Sequence, residues 1–125
     1  MEKGIVFCGP NEETSSENAS VICAKYISEH VAVIPAIFEN PRNKRFWEDC
    51  NEHTKIVWIS NVCNRKDLIY LILNTYHGIT VDRKMRNPFE IHPMIIITTG
   101  AHILATEAIF QNSSIARRFD VIDCE

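Results

Sequence analysis

Long hydrophobic runs are missing from this sequence. Near the C-terminal half the longest aliphatic stretch is Met94–Ile97, far short of the ~18 residues that span a bilayer, so membrane insertion is not expected. The start, Met-Glu-Lys-Gly-Ile-Val-Phe, lacks a basic segment followed by a long apolar one. No signal peptide is predicted, and the compartment reads as intracellular. There is no C-x-x-C pair, and the five cysteines (Cys8, Cys23, Cys50, Cys63, Cys124) are an odd number, which argues against a disulfide framework and a zinc ribbon. Free thiols are expected, with Cys8 and Cys23 in the core. Cys50-x-x-His53 with Cys63 and His77 offers only one short ligand spacing, so no metal site is predicted. Excess positive charge is missing too: 13 Lys+Arg against 16 Asp+Glu leave a net −3, and any contact with nucleic acid must be local. What is present is a globular composition, 46% hydrophobic and 23% charged over 125 residues. That suits one domain with one core and excludes a multidomain enzyme.

Gly4–Cys8 is a short apolar run stopped by Gly9-Pro10, a buried strand entering a turn. Thr14 and Glu17 have the spacing of a capping box, and Val21, Ile22, Ala24, Tyr26 and Ile27 recur at helical spacing, predicting a helix over Ser16–Glu29. Val31–Ile37 is rich in β-branched residues and predicts a second strand. Glu39–Asn51 is polar apart from Phe46-Trp47. Lys55–Ile59 predicts a third strand, and Lys66–Asn74 a short helix with a broad apolar face. Ile79–Asp82 and Phe89–Ile91 flank the basic segment Arg83-Lys84-Met85-Arg86 and predict a hairpin. Met94–Thr99 predicts a fourth buried strand, Ala101–Gln111 a partly helical stretch, and Phe119–Ile122 a last strand. Strands alternating with helices predict an α/β sandwich around a largely parallel sheet. Trp47 and Trp58 read as core.

Six segments in this order resemble the ATPase core of the superfamily 3 viral replication helicases, the group of parvovirus Rep and nonstructural proteins and the papillomavirus replicative helicase. Ile5-Val6-Phe7-Cys8 leads into Gly9-Pro10-Asn11-Glu12-Glu13-Thr14-Ser15-Ser16, where the family has G-P-x-x-T-G-K-S/T. Phe46-Trp47-Glu48-Asp49-Cys50 resembles the aromatic stretch before the family's metal-binding strand, and Ile56-Val57-Trp58-Ile59 resembles that strand. Gly78-Ile79-Thr80-Val81-Asp82-Arg83-Lys84 is similar to the family's DNA-contacting hairpin. Met94–Thr99 is similar to its sensor strand, and Ser114-Ile115-Ala116-Arg117-Arg118-Phe119 to the segment bearing an arginine finger, with Arg118 fitting that position better than Arg117. The resemblance implies a P-loop NTPase fold of AAA+ type, a three-layer sandwich with a largely parallel central sheet, and a nucleotide site at Gly9, Pro10, Thr14, Ser15 and Ser16.

The chain departs from this family where the chemistry lies. A phosphate loop needs backbone N–H groups, a helix N-terminus and a lysine facing the phosphates. Ser15 stands where the lysine belongs, and β-branched Thr14 replaces the glycine that lets backbone approach phosphate. Glu12 and Glu13 add negative charge; at roughly 5 Å and an effective dielectric of about 20, each would cost a triphosphate about 3 kcal/mol before screening. Ser16 keeps the magnesium-binding hydroxyl. Ser60 and Asn61 stand where two carboxylates would hold the metal's water shell, and Gly100 stands where the family has its sensor asparagine.

The resemblance with these departures predicts, over residues 1–125, a truncated and catalytically degenerate helicase-like domain. It would be viral or an endogenised viral remnant in the host nucleus or cytoplasm, and would need no cofactor. It would act by weak contact of Arg83, Lys84 and Arg86 with single-stranded DNA, or by assembly with itself or with an intact helicase homologue. The alternative is an active ATP-dependent helicase core with divergent motifs, using ATP and Mg2+. A second alternative is a small α/β interaction domain binding neither nucleotide nor DNA. The chain's limits also predict no independent origin recognition or nicking, and there is no His-x-His nickase pair.

Overall fold

The computed structural model describes residues 3–100 and 116–124. The elements run β1 (Gly4–Cys8), α1 (Glu12–Cys23), β2 (Val31–Pro35), β3 (Ile56–Ser60), α2 (Arg65–Thr75), β4 (Ile79–Val81), β5 (Phe89–Ile91), β6 (Met94–Thr99) and β7 (Phe119–Asp123), with a 3-10 turn at Ser28–His30. Five strands form one sheet in the order β2-β3-β6-β1-β7, and each neighbouring pair is parallel. β4 and β5 make a separate antiparallel hairpin, Ile79 opposite Ile91 and Val81 opposite Phe89. The expected helical stretch Ala101–Gln111, with Ser114 and Ile115, lies outside the described residues.

The near-continuous apolar strands reflect burial on both faces. Because successive side chains alternate, Val6, Cys8, Val57, Ile59, Ile95 and Ile97 pack with Leu68, Leu71 and Ile72 of α2 and with the hairpin's Ile79, Val81 and Ile91. Their neighbours Phe7, Ile56 and Ile96, with half-buried Ile5 and Trp58, pack against Ala19 and Ile22 of α1. The result is a three-layer α/β sandwich, α1 on one face and α2 with the hairpin on the other. Among the described residues no helix is long and apolar enough to cross a membrane.

Several boundaries differ from the sequence expectation. The first helix begins at Glu12 and ends at Cys23, where Ser16–Glu29 was predicted. Its N-cap is Asn11, whose side chain accepts the Thr14 N–H, so Thr14 sits within the first turn and forms no capping box with Glu17. Asparagine at an N-cap followed by two glutamates satisfies both the orphan donors and the helix dipole, and it outcompetes the later Thr14 signal. Val21, expected on the inner face, is exposed; the buried stripe is Ser15 and Ala19 with Ile22 beside it. β2 stops at Pro35, which has no N–H and stands at an edge strand. Cys8 is buried and Cys23 half-buried. Trp58 is half-buried, with its indole N–H donated to Thr98 Oγ1 at 3.0 Å.

Candidate functional site

In an open parallel sheet ligands bind beyond the carboxyl ends of strands, where neighbouring strands send their connections in opposite directions. Here that place is between β1, whose chain leaves toward β2, and β6, whose chain continues to β7 on the other side. Three sequence-predicted segments meet there: Gly9–Ser16 after β1, Ser60-Asn61 at the end of β3, and Gly100 after β6.

Only Gly9, Pro10 and Asn11 separate β1 from α1, so the residues matched to a phosphate loop are helical from Glu12 onward. Gly9 donates its N–H to Thr99 O at 3.2 Å, and Asn11 Oδ1 accepts from Thr14 N at 2.8 Å and Thr14 Oγ1 at 3.0 Å. Ser15 is fully buried and donates its hydroxyl to Thr99 O at 2.9 Å. Glu12 turns inward. Its Oε2 accepts the Ser16 hydroxyl at 2.6 Å and its Oε1 accepts the Asn61 backbone N–H at 2.9 Å. Asn61 adopts φ 56°, a left-handed conformation that asparagine tolerates better than most residues. One carboxylate thus ties the start of α1 to the exit of β3.

Beside it lies a pocket of about 230 Å3 lined by Glu12, Asn61, Val62, Cys63, Thr99 and Gly100. Among the described residues its one charged lining residue is a glutamate. Thr99 Oγ1 is buried without a hydrogen-bond partner among the described residues. A Cβ on Gly100 would stand 2.7 Å from the Glu12 backbone nitrogen and 3.2 Å from the Asn11 carbonyl carbon, so backbone lies where a side chain would go. Gly100→Ala should therefore cost about 1–3 kcal/mol of stability through overpacking. Chemical denaturation checks this, and an unchanged midpoint would show that α1 can move aside.

The hairpin loop carries the other predicted cations. Arg86 N–H donates to Arg83 O at 3.3 Å, closing a turn with Lys84 and Met85 at its tip. Met85 has φ 64° and is 95% exposed, whereas glycine or asparagine is usual at such a position. Arg83 and Arg86 are already engaged. Arg83 donates to Glu48 O at 2.9 Å and Cys50 O at 2.6 Å, and Arg86 pairs with Glu52 at 2.9 Å. Backbone carbonyls and a glutamate in the loop after β2 compete with any phosphate for both guanidinium groups. Lys84 is exposed and has no partner among the described residues.

Arg118 lies at the amino end of β7, where Phe119 pairs with Gly4. The length of β1, about 15 Å at the usual strand rise, separates it from Ser15, so the two do not meet within one chain. Its guanidinium sits 5.5 Å from the Tyr76 ring centroid. Cys50 is buried, and burial first, then the Asp49 charge, push its thiol up to about 12 against the opposing effect of Arg83. A thiol held protonated is a poor metal ligand. Among the described residues no group of three His, Cys, Asp or Glu is placed to share a metal ion.

Sequence reasoning missed Glu12 as the group that fills the crevice. The signal available was Asn11-Glu12-Glu13 directly after a strand-ending Gly-Pro, which starts a helix early and aims its first turn at the sheet.

Fold and crevice define an α/β domain with an all-parallel central sheet and an acidic pocket beyond its carboxyl edge. No protein-family model matches the chain, and no curated protein matches it either. Among solved structures it is similar to the C-terminal region of NrS-1 in its apo A form, with TM-score 0.58 at 19% identity, covering 98% of this chain and 29% of that one. A second structure of that region gives TM-score 0.50 at 20% identity, covering 98% of this chain and 28% of that one. The likeness concerns the fold, and this chain spans less than a third of the length of those it matches.

Proposed function

We propose that this chain is a replication-helicase-like domain of P-loop ancestry that works without ATP and contacts single-stranded DNA through the hairpin tip at Lys84. The observation that carries this reading is the Glu12 carboxylate, which accepts from Ser16 Oγ and Asn61 N in the crevice. A triphosphate with its magnesium would need that hydroxyl and would meet a fixed negative charge with no lysine to offset it. The order of the six segments along the chain, together with the fold likeness to the NrS-1 C-terminal region, supports the ancestry. Lys84, exposed and without a partner among the described residues, beside a strained tip supports the contact, since strained backbone concentrates at functional positions.

Fluorescence anisotropy with a labelled oligo-dT tests this. Binding at 50 mM salt should be weak, indifferent to added ATP and Mg2+, and lost in Lys84→Ala. With Arg83 and Arg86 engaged, one or two phosphate contacts remain. Affinity should then fall by about one decade or less between 50 and 200 mM salt, at roughly 0.7–0.9 per contact on the log-log slope. ATP-stimulated binding, or undiminished binding by Lys84→Ala, would remove this reading in favour of an active helicase core or an interaction domain.

A further inference from the structure

The end of the sheet opposite the crevice carries a second concavity, which includes Arg118 but no residue of the crevice or the hairpin. Lys3, Tyr76, Ile95, Arg117, Arg118 and Phe119 surround a pocket of about 250 Å3 at the amino ends of β1, β6 and β7. Its frame is held by backbone. Gly4 N–H donates to Arg118 O at 2.5 Å, and Phe119 ring atoms lie 2.5 and 2.7 Å from where a Cβ on Gly4 would be. The absence of a side chain at Gly4 therefore lets the Phe119 ring form one wall.

Charge in this pocket is opposite to that of the whole chain. Among the described residues the lining carries three cations and no carboxylate, and Lys3 pairs with Asp120 beside it at 2.8 Å. Among the described residues Arg118 makes one long bond, 3.4 Å to Tyr76 O, and lies over the Tyr76 ring, so most of its N–H donors have no described partner. Arg117 is exposed and has no partner among the described residues. On a protein of net charge −3, adjacent guanidinium groups at the mouth of an aromatic-walled pocket form a local anion site. Guanidinium forks match phosphate oxygens in pairs, and a dianion balances several cations better than a single carboxylate does.

We propose that this pocket binds a small phosphomonoester, its phosphate held by Arg117, Arg118 and Lys3 and its flat or apolar body against Tyr76, Ile95 and Phe119. The volume is at or below the roughly 300 Å3 lower bound of drug-sized sites, so the ligand is compact. The site does not depend on the DNA-binding reading, because none of its residues belongs to the hairpin.

Titration of the full chain with phenyl phosphate, inorganic phosphate and benzoate, followed by amide and aromatic NMR shifts, tests the proposal. Phenyl phosphate should saturate shifts at Gly4, Tyr76 and Ile95. Inorganic phosphate should act at the same residues at least about fivefold more weakly because it lacks the stacked body, and benzoate more weakly again. Arg117→Ala, an exposed change that should leave folding intact, and Arg118→Ala should each lower phenyl phosphate affinity by about tenfold, with Arg118→Lys recovering only part. Shifts spread over surface lysines and arginines elsewhere, equal affinity for benzoate, or unchanged affinity in Arg117→Ala would each overturn it.

Discussion

Placing at position 15 the lysine that a phosphate loop requires, by Ser15→Lys, should lower stability by about 3 kcal/mol or more and should create no ATPase activity. Ser15 is fully buried, its hydroxyl held by Thr99 O, and Gly9 presses close enough that a Cβ there would lie 2.7 Å from Ser15 Oγ. A lysine would have to place an ammonium and four methylenes in this space. The nearest carboxylate, Glu12, already accepts from Ser16 and Asn61. Uncompensated buried charge costs about 3–5 kcal/mol, and overpacking adds to it. With a urea m-value of about 1–3 kcal/mol/M, the midpoint should drop by roughly 1 M or more. An unchanged midpoint would mean that the start of α1 can rearrange into a loop, and the case for a closed crevice would fail. No hydrolysis is expected because Ser60 and Asn61 supply no carboxylate for a metal.

The second large effect is expected at Arg83, and it is one of stability. Its guanidinium donates to two backbone carbonyls, Glu48 O and Cys50 O, and so fastens the hairpin loop to the segment after β2. Hydrogen bonds to a charged group contribute about 1.5–3 kcal/mol, and truncation leaves the Cys50 carbonyl without this donor. Arg83→Ala should therefore destabilise the protein by about 2–3 kcal/mol, whereas Lys84→Ala, at an exposed and unpartnered neighbour, should stay within roughly 0.5 kcal/mol. Parallel thermal melts of the two variants read the contrast. Equal melts would show that Arg83 is as free as Lys84 and available to DNA after all.

These two cases show how unevenly the sequence speaks. Met94–Thr99 was legible to the residue, because a strand buried on both faces must be apolar throughout and Gly100 ends it. The hairpin was legible because two short runs with alternating apolar residues, Ile79-Thr80-Val81 and Phe89-Glu90-Ile91, flank a basic turn. The start of α1 was misread because two helix-start signals, Asn11 with the glutamates and Thr14 with Glu17, lie three residues apart and periodicity does not choose between them. The sheet decides, by drawing Ser15 and Ala19 inward against β1 and β6.

By itself the sequence determined the class of fold, an alternation of buried strands and helices, together with the residue types Ser15, Ser60 and Asn61, which supply neither a cation nor a carboxylate at the strand ends. Those are matters of residue type and order along the chain. Tertiary structure alone decided that Glu12 fills the crevice, that Arg83 and Arg86 spend their charge on the neighbouring loop, and that Lys3, Arg117 and Arg118 gather around Tyr76. Each of these joins residues from separate segments, Glu12 with Asn61, Arg83 with Cys50 and Lys3 with Arg118. A side chain's partner over such separations is set by sheet order and register, which no local pattern encodes.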